Sequence, residues 1–515
     1  MMPQSRPVVS AGTTKRQPSP RARWMGALAL FVVSAAAAAE VRPPNVLFLA
    51  VDDLRPELGC YGRKQVISPH IDRLAAQGVR FDRAYCQYPV CHASRGSLLT
   101  GRRPDTLGTD FRLSAIRQRI PDLITLPQQF KRHGYDTRSF GKIYHGSFET
   151  AYLGRTFDDP ASWSRPGWFG SSQYYFTPRG IEVAREVYAK KSAKKGGGGG
   201  PDAWKSAFVQ GLATEAPDVP DRTLYDGVMT DRAIAALGEL KDQPFFLGVG
   251  YLKPHLPFVA PKKYWDLYER AKLAMPWPAA PPRGAPEVAR HSHGELRVQY
   301  TNMRDEILSE AQVRELLHGY YACVSFIDAQ IGRLLGELDR LGLRDNTIVV
   351  LWGDHGWHLG EQSLWGKMTG FELSARVPLI VCAPDRKARG AGSSALVEFV
   401  DLFPTLCELS GLPQPNGLEG TSFVPLLDAP DRPWKPAAFT QLVRGQATGR
   451  SIRTERYRFT RWTSTKAPNE IVGVELYDYA ASPLETENLA GRPEHAALEQ
   501  KLAAALDSAR PPNLP

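Results

Sequence analysis

The chain has 515 residues, 43% of them hydrophobic, enough for a sizeable buried core in one very large domain or two to three ordinary ones. Its formal net charge is +10, and five of the positive charges (Arg6, Lys15, Arg16, Arg21, Arg23) fall in the first 39 residues, leaving a modest +5. That balance gives no reason to expect a nucleic-acid partner, and six scattered cysteines without a C-x-x-C argue against a disulfide scaffold or a thiolate zinc site, though one or two bridges stay open.

The N-terminal basic stretch is followed by the apolar run "WMGALALFVVSAAAAA" and small residues up to Ala39. This pattern predicts a cleaved export signal over residues 1–39, hence a periplasmic or secreted protein. The run is short for a membrane span, and an uncleaved anchor is the alternative. No later segment is long and apolar enough to span a membrane.

"NVLFLAVDD" (Asn45–Asp53) predicts a fully buried strand with Asp52 and Asp53 at its carboxyl end. "HIDRLAAQGVRF" follows as an amphipathic helix closed by Gly78. The pattern of helix, glycine and strand recurs in "LPQQFKRHGYDTRSFGKIYH" and in "DRAIAALGEL" before "QPFFLGVGY". It recurs once more in "YYACVSFIDAQIGRLLGELDRLGL" before "NTIVVLWGDHG". Helices alternating with apolar strands predict an α/β fold with a mostly parallel central sheet flanked by helices. Ligand sites in such sheets lie beyond the carboxyl ends of the strands.

"KKGGGGGPDAWK" (Lys194–Lys205) reads as a low-complexity surface insertion, and Pro276–Glu295 as a long irregular loop. Beyond "GTSFVPLLDAPDRP" the texture changes to the short alternating strands "AFTQLV", "RSIRTERYRFTRW" and "VELYDY", then the helix "PEHAALEQKLAAAL". A smaller α+β C-terminal domain with an antiparallel sheet is expected over 433–515, after a catalytic domain over 40–432.

Asp52 and Asp53 are adjacent carboxylates at a strand end, costly to bury without a counter-charge, which a divalent metal supplies. A solvated turn pair is the plainer reading. Asp354 and His355 follow the strand "NTIVVLWG" in the same topological place, so two strand ends could build an oxygen-rich site suited to calcium or magnesium, although imidazole favours softer ions. Lys142 and His145 in "FGKIYHG", and His255 in "YLKPHLPF", are acid–base candidates. Lys367, thirteen residues beyond Asp354, reads by default as a surface charge. Cys91 opens "CHASRGSLLTG", which looks like the first turns of a helix. A thiol there is either a small buried hydrophobe or, with Arg95 close by, a thiol of lowered pKa paired with a histidine base.

"CHASRGSLLTGR" resembles the sulfatase signature, in which Cys-x-Pro/Ala-x-Arg directs oxidation of the cysteine to Cα-formylglycine; Cys91, Ala93, Arg95, Thr100, Gly101 and Arg102 occupy its positions. "VDDLRPELGCYG", "TGRRPDT", "GKIYH", "GYLKPHLPF", "DHGWHLGEQSLWGK" and "GRSIRTERYRFT" are similar, in that order, to the iduronate 2-sulfatase branch. The resemblance implies an alkaline-phosphatase-like domain with a smaller C-terminal domain. It further implies hydrolysis of a sulfate ester on a carbohydrate of the glycosaminoglycan kind. Asp52, Asp53, Asp354 and His355 become calcium ligands, joined by an oxygen of modified Cys91, and Arg95 holds the hydrated aldehyde. Lys142, His145, His255 and Lys367 surround the sulfate. Lys367 or His255 is expected to protonate the leaving alcohol, and His145 to deprotonate the second hydroxyl of the aldehyde hydrate. A formylglycine-generating partner enzyme is implied as well. Two departures are Ala93, where proline is commoner, and His355, where many sulfatases carry asparagine; the latter matches the iduronate branch. A phosphodiester or phosphonate hydrolase of the same superfamily and a non-catalytic sulfated-glycan-binding protein are the other readings. His358, Trp365 and His291 are candidate sugar contacts.

Overall fold

The computed structural model describes residues 42–108, 110–145, 159–170, 173–194, 203–206, 211–291 and 294–509. The leader and the glycine run at 196–200 lie outside them. Among the described residues no helix is long and apolar enough to cross a membrane.

A seven-stranded sheet runs through the molecule. Its members are β1 (Asn45–Val51), β2 (Val79–Tyr85), β3 (Asp136–Gly141), β4 (Phe245–Tyr251), β5 (Thr347–Gly353), β6 (Arg376–Cys382) and β7 (Ala391–Glu398). The spatial order is β7-β2-β6-β5-β1-β4-β3, and every pairing is parallel except the two made by β6. The α/β expectation with a mostly parallel sheet therefore holds. The stretch from β5 to β6 contains no crossover helix longer than the four residues Glu372–Ala375, so β6 can return only as an antiparallel neighbour.

Both faces of the sheet are covered, which is why β1, β4 and β5 read as unbroken apolar runs: all their residues are buried. Alternation along β1 sends Leu47, Leu49 and Val51 into one core and Val46, Phe48 and Ala50 into the other. The first core is closed by α1 (Pro69–Ala75), α4 (Tyr225–Leu240) and α5 (Glu310–Arg340). The second is closed by α2 (Cys91–Thr100), α3 (Leu126–Arg132) and α6 (Leu402–Leu409). Two boundaries differ from the sequence reading. Helix α1 ends near Ala75, and Val79 already belongs to β2. Helix α5 begins at Glu310, ten residues earlier than expected, because Ser309 and Gln312 form a reciprocal capping box that starts it there.

The C-terminal sheet has four strands where the sequence suggested three: β8 (Ala437–Arg444), β9 (Ala447–Thr454), β10 (Tyr457–Ser464) and β11 (Ile471–Asp478), in consecutive antiparallel order. A turn at Glu455–Arg456 divides "RSIRTERYRFTRW" into β9 and β10. Helix α7 (Ala496–Ser508) covers one face through Leu502 and Leu506. The sheet is tied to the segment that leads into α2: Gln441 N donates to Gln87 O at 2.9 Å, and Val443 N to Tyr88 Oη at 2.7 Å. A buried ion cluster makes a second tie, with Glu372 accepting from Arg453 Nε at 3.3 Å and from an Arg458 terminal nitrogen at 2.6 Å.

Burial by itself would raise the Glu372 pKa, but Arg453, Arg458 and Arg376 outweigh it and hold the carboxyl at about 2. A depressed carboxyl stabilises the fold above the unfolded pKa, and that contribution disappears as pH falls from about 4.5 toward 2. Glu372→Gln is expected to cost roughly 3 kcal/mol at neutral pH. It should also flatten the acid limb of stability between those values, as denaturant melts at several pH values would read. An unchanged acid limb in the variant contradicts the assignment.

Candidate active site

The carboxyl ends of four strands meet at one edge of the large sheet. Asp52 and Asp53 follow β1, Lys142 follows β3, His255 lies beyond β4, and Asp354 and His355 follow β5. Helix α2 brings Cys91 and Arg95 to the same place, and the loop after β5 brings Lys367. Gly141 makes the turn at the end of β3 possible. Its φ is +74°, and a Cβ there would stand 2.2 Å from the Gly250 carbonyl oxygen.

Arg95 is completely buried and links the two acidic strand ends. Its Nε donates to Asp354 Oδ2 at 2.9 Å, and a terminal nitrogen lies 3.3 Å from Asp52 Oδ1. Its other terminal nitrogen donates to the carbonyls of Lys142 and Ile143. Lys142 Nζ sits 2.5 Å from Asp52 Oδ2, and Lys367 Nζ 2.7 Å from Asp53 Oδ1. Asp53 adopts φ +58°, an unfavourable conformation for a residue with a Cβ. It is held there by Asp354 Oδ1, which accepts from its N–H at 3.0 Å, and by the Tyr320 hydroxyl, which donates to its carbonyl at 2.9 Å.

Cys91 Sγ lies 3.2 Å from His355 Nε2, 3.3 Å from Lys367 Nζ and 3.9 Å from Asp53 Oδ1. His355 donates from Nδ1 to the Gly356 carbonyl at 2.9 Å, which leaves a lone pair on Nε2 facing the cluster. Burial pushes the pKa of His355 down to about 4, so the ring is neutral near pH 7. Ligand atoms of Asp52, Asp53, Cys91 and His355 all fall within 4.8 Å of one another.

These groups fit a cation. Asp53 Oδ2 is buried and accepts no hydrogen bond. Burial, together with Asp52, Glu295 and Asp354, drives the Asp53 pKa well above the usual carboxylate range despite Lys367. Asp52 moves the other way: burial favours its neutral form, but Lys142 and Arg95 overcome that and hold it well below. Asp53 is therefore the least compensated of the acids, and the donors that face the cluster are carboxylate oxygens plus one imidazole.

The sequence raised the possibility of a reactive thiolate at Cys91, and here the structure corrects it. Burial and the nearby Asp52 raise the thiol pKa well above its ordinary value, although Lys142 and Lys367 pull the other way. The histidine beside the sulfur is His355. No bridge forms at any of the six cysteines, all of which are free.

His255 donates from Nδ1 to the Leu256 carbonyl at 2.7 Å and turns Nε2 toward Glu295 and Asp53, at 3.4 and 3.9 Å. Glu295, also 3.5 Å from Lys367, is a site residue that sequence reasoning passed over. Its only sequence signal is its position at the end of the long Pro276–Glu295 loop. His145 stands at the rim, exposed, its ring 5.4 Å from that of His92. A cavity of about 460 Å³ adjoins the cluster through Lys367 and Glu295, and Arg290, His291, Trp365 and Arg444 also line it. His291 and Trp365 thus border the space a substrate would enter. His358 does not: it is fully buried, with Nε2 2.9 Å from Thr369 Oγ1 and its ring against Phe371.

A mostly parallel sheet with a charged, carboxylate-rich cluster at its strand ends is an alkaline-phosphatase-like architecture. Solved structures bear out the fold. One protein, captured with its substrate D-glucosamine-2-N,6-O-disulfate, superposes with a TM-score of 0.68 at 22% identity, over 91% of this chain and 97% of that one. A phosphonate monoester hydrolase from Silicibacter pomeroyi gives 0.67 at 24%, over 91% and 95%. The sulfatase family model matches residues 44–412, and that of the N-sulphoglucosamine sulphohydrolase C-terminal region matches 360–511. The chain belongs to the sulfatase family, and it is 35% identical to the iduronate 2-sulfatase of Homo sapiens over 521 residues, spanning 86% of this chain and 90% of that protein.

Because Asp53 is the least compensated carboxylate of the cluster, Asp53→Asn is expected to raise the melting temperature of metal-stripped protein and to abolish stabilisation by an added divalent cation. Differential scanning calorimetry with and without chelator reads both effects. A variant that melts lower than stripped wild type, yet still gains stability from the cation, is the contrary result.

Proposed function

We propose that this sulfatase removes sulfate from a sulfated carbohydrate, using Cys91 converted to Cα-formylglycine by a maturation enzyme, with one calcium ion bound at the strand ends. The observation that carries the reading is the surroundings of Cys91. Its sulfur is wedged between Lys367 and His355 at 3.3 and 3.2 Å, in a place that keeps a thiol protonated and therefore a poor nucleophile. A residue so placed needs another chemistry to react. The hydrate of formylglycine supplies one hydroxyl to attack sulfur and a second whose deprotonation lets sulfate leave.

Asp52, Asp53 and Asp354, with His355 Nε2, would hold the metal, and their hard oxygen donors favour calcium or magnesium. Calcium would lower the pKa of a bound hydroxyl and neutralise sulfate charge. Lys142 and Lys367 extend positive charge over the sulfate oxygens as charge builds on them. The acids around Lys367, Asp53 foremost, outweigh burial and hold its pKa well above the ordinary lysine value, so its Nζ carries a proton. That proton goes to the leaving alcohol. Burial and Lys367 hold His255 well below its ordinary value, so its neutral Nε2 faces the substrate as an acceptor. His145 at the rim takes the proton released when sulfate is expelled. Arg95 acts by fixing Asp52 and Asp354.

Support for a sugar substrate comes from the cavity beside Lys367 and from the relatives, one an iduronate 2-sulfatase and another solved with a disulfated glucosamine. The basic, apolar and small-residue leader supports export. A phosphonate hydrolase with a similar fold makes an aryl phosphate the proper control substrate.

The first test is the mass of the tryptic peptide Ala84–Arg95 after alkylation, in which Cys86 serves as the internal standard. Protein made with a formylglycine-generating enzyme should show Cys86 alkylated and Cys91 as the aldehyde or its hydrate. An alkylated Cys91 in an active preparation would falsify the proposal. Cys91→Ser should stop multiple turnover of 4-nitrophenyl sulfate, and wild type should favour the aryl sulfate over the aryl phosphate. If Lys367 protonates the leaving group, Lys367→Ala should lower kcat for a sugar sulfate about 10²-fold or more beyond its effect on 4-nitrophenyl sulfate, whose phenolate leaves unaided. Equal losses on both substrates would assign Lys367 to charge neutralisation alone.

A further inference from the structure

A second charged cavity, of about 350 Å³, lies between the large sheet and the C-terminal sheet. Its walls include Arg55, Arg63, Arg83, Arg376 and Arg453, with Glu57 and Glu372 the acids among the lining residues. Most of this charge is matched. Arg55 pairs with Glu57 at 2.8 Å and with Glu361 at 2.9 Å, and Glu57 lies 3.6 Å from Arg63. Arg453 shares Glu372 with Arg458.

Arg83 and Arg376 are the exceptions. Arg83 donates only to carbonyl oxygens, those of Ser394 and Glu455. Arg376 Nε is buried and meets no hydrogen-bond partner. Among the described residues neither guanidinium makes an ion pair within 4.0 Å, although Arg376 is near enough to Glu372 to help lower its pKa. Glu372 is the acid nearest in sequence to Arg376, and it already accepts from two other arginines. Because β6 runs antiparallel to β2, Arg376 at the start of one faces Tyr85 at the end of the other, which brings Arg376 and Arg83 to the same edge.

We propose that this cavity is an oxyanion-binding site, distinct from the catalytic cluster, that takes a tetrahedral anion such as sulfate or phosphate between Arg376 and Arg83. Guanidinium forks match such oxygens, and a buried Nε without a partner is the donor an anion would satisfy. The volume admits the free ion or the charged end of a small molecule. This inference stands apart from the sulfatase reading, since none of the residues named here was assigned to catalysis.

Isothermal titration of the full chain with sodium sulfate, and separately sodium phosphate, at constant ionic strength tests it. Wild type should take up two sulfates per chain, one at each site. Arg376→Ala should retain one and weaken the other about tenfold or more. Lys367→Ala should lose the catalytic ion and keep the cavity ion at wild-type affinity. Arg376→Lys preserves charge without the fork and should fall between wild type and Arg376→Ala. Arg376→Ala also removes one of the three arginines that hold Glu372, so its melt in chloride buffer is read alongside the titration, and Arg376→Lys, which keeps that charge, separates lost binding from lost folding. Sulfate uptake unchanged in Arg376→Ala, or none by folded Lys367→Ala, overturns the proposal. Binding of both anions marks a general oxyanion site, whereas binding of one alone identifies the natural ligand's chemistry.

Discussion

Three carboxylates brought together at two adjacent strand ends are the constraint on which the rest of this structure depends. Asp52, Asp53 and Asp354 lie in an interior where like charges repel strongly and water cannot screen them. Arg95 from α2, Lys142 from β3 and Lys367 from the loop after β5 each offset part of that charge. A strained Asp53 with an orphaned oxygen is what remains. The protein keeps it because the surrounding fold holds it in place: a cost of this kind, of order 1–3 kcal/mol for the backbone alone, persists only where packing over-determines it. A divalent cation bound there would relieve the repulsion among these acids.

The same charges decide what Cys91 can be. At a helix N-terminus beside arginine, a thiol should ionise readily. Here the helix end is closed over by protein and faces acids, so the neutral thiol wins. The ordinary cysteine nucleophile is thereby disfavoured in the very place where the sulfatase signature puts an oxidisable cysteine. The electrostatics and the motif point the same way.

The C-terminal sheet supports the site without contributing to its reacting cluster. Gln441 and Val443 hold the residues leading into α2, and Arg453 and Arg458 close on Glu372 in the loop that carries Lys367. Arg444, from the end of β8, lines the cavity next to Lys367. A sheet docked through buried ion pairs holds its position precisely only while each charge has its partner, since an unmatched buried charge costs several kcal/mol. This dependence connects acid stability to the shape of the cavity beside Lys367.

Much of the site was legible in the sequence because buried parallel strands have a simple consequence: whatever follows them lies at one edge of the sheet. Hence Asp52, Asp53, Asp354, His355, Lys142 and His255 could be placed at that edge from local pattern alone, and the stretch from Cys91 to Arg102 suggested a chemistry by resemblance. Glu295, the burial of His358 and the direction of the Cys91 pKa could not be read. Each depends on which distant segments pack around a group, and neither spacing nor residue type carries that information. The start of α5 was missed for a smaller reason, a capping box hidden in a polar stretch. The division of β9 from β10 and the antiparallel return of β6 were settled by pairing between strands. The sequence by itself determined the alternation of strands and helices and the residues at the strand ends, since both follow from local periodicity. Only the tertiary structure decided which charges meet, because the Coulomb energy of a buried group depends on through-space distance and on exclusion of water.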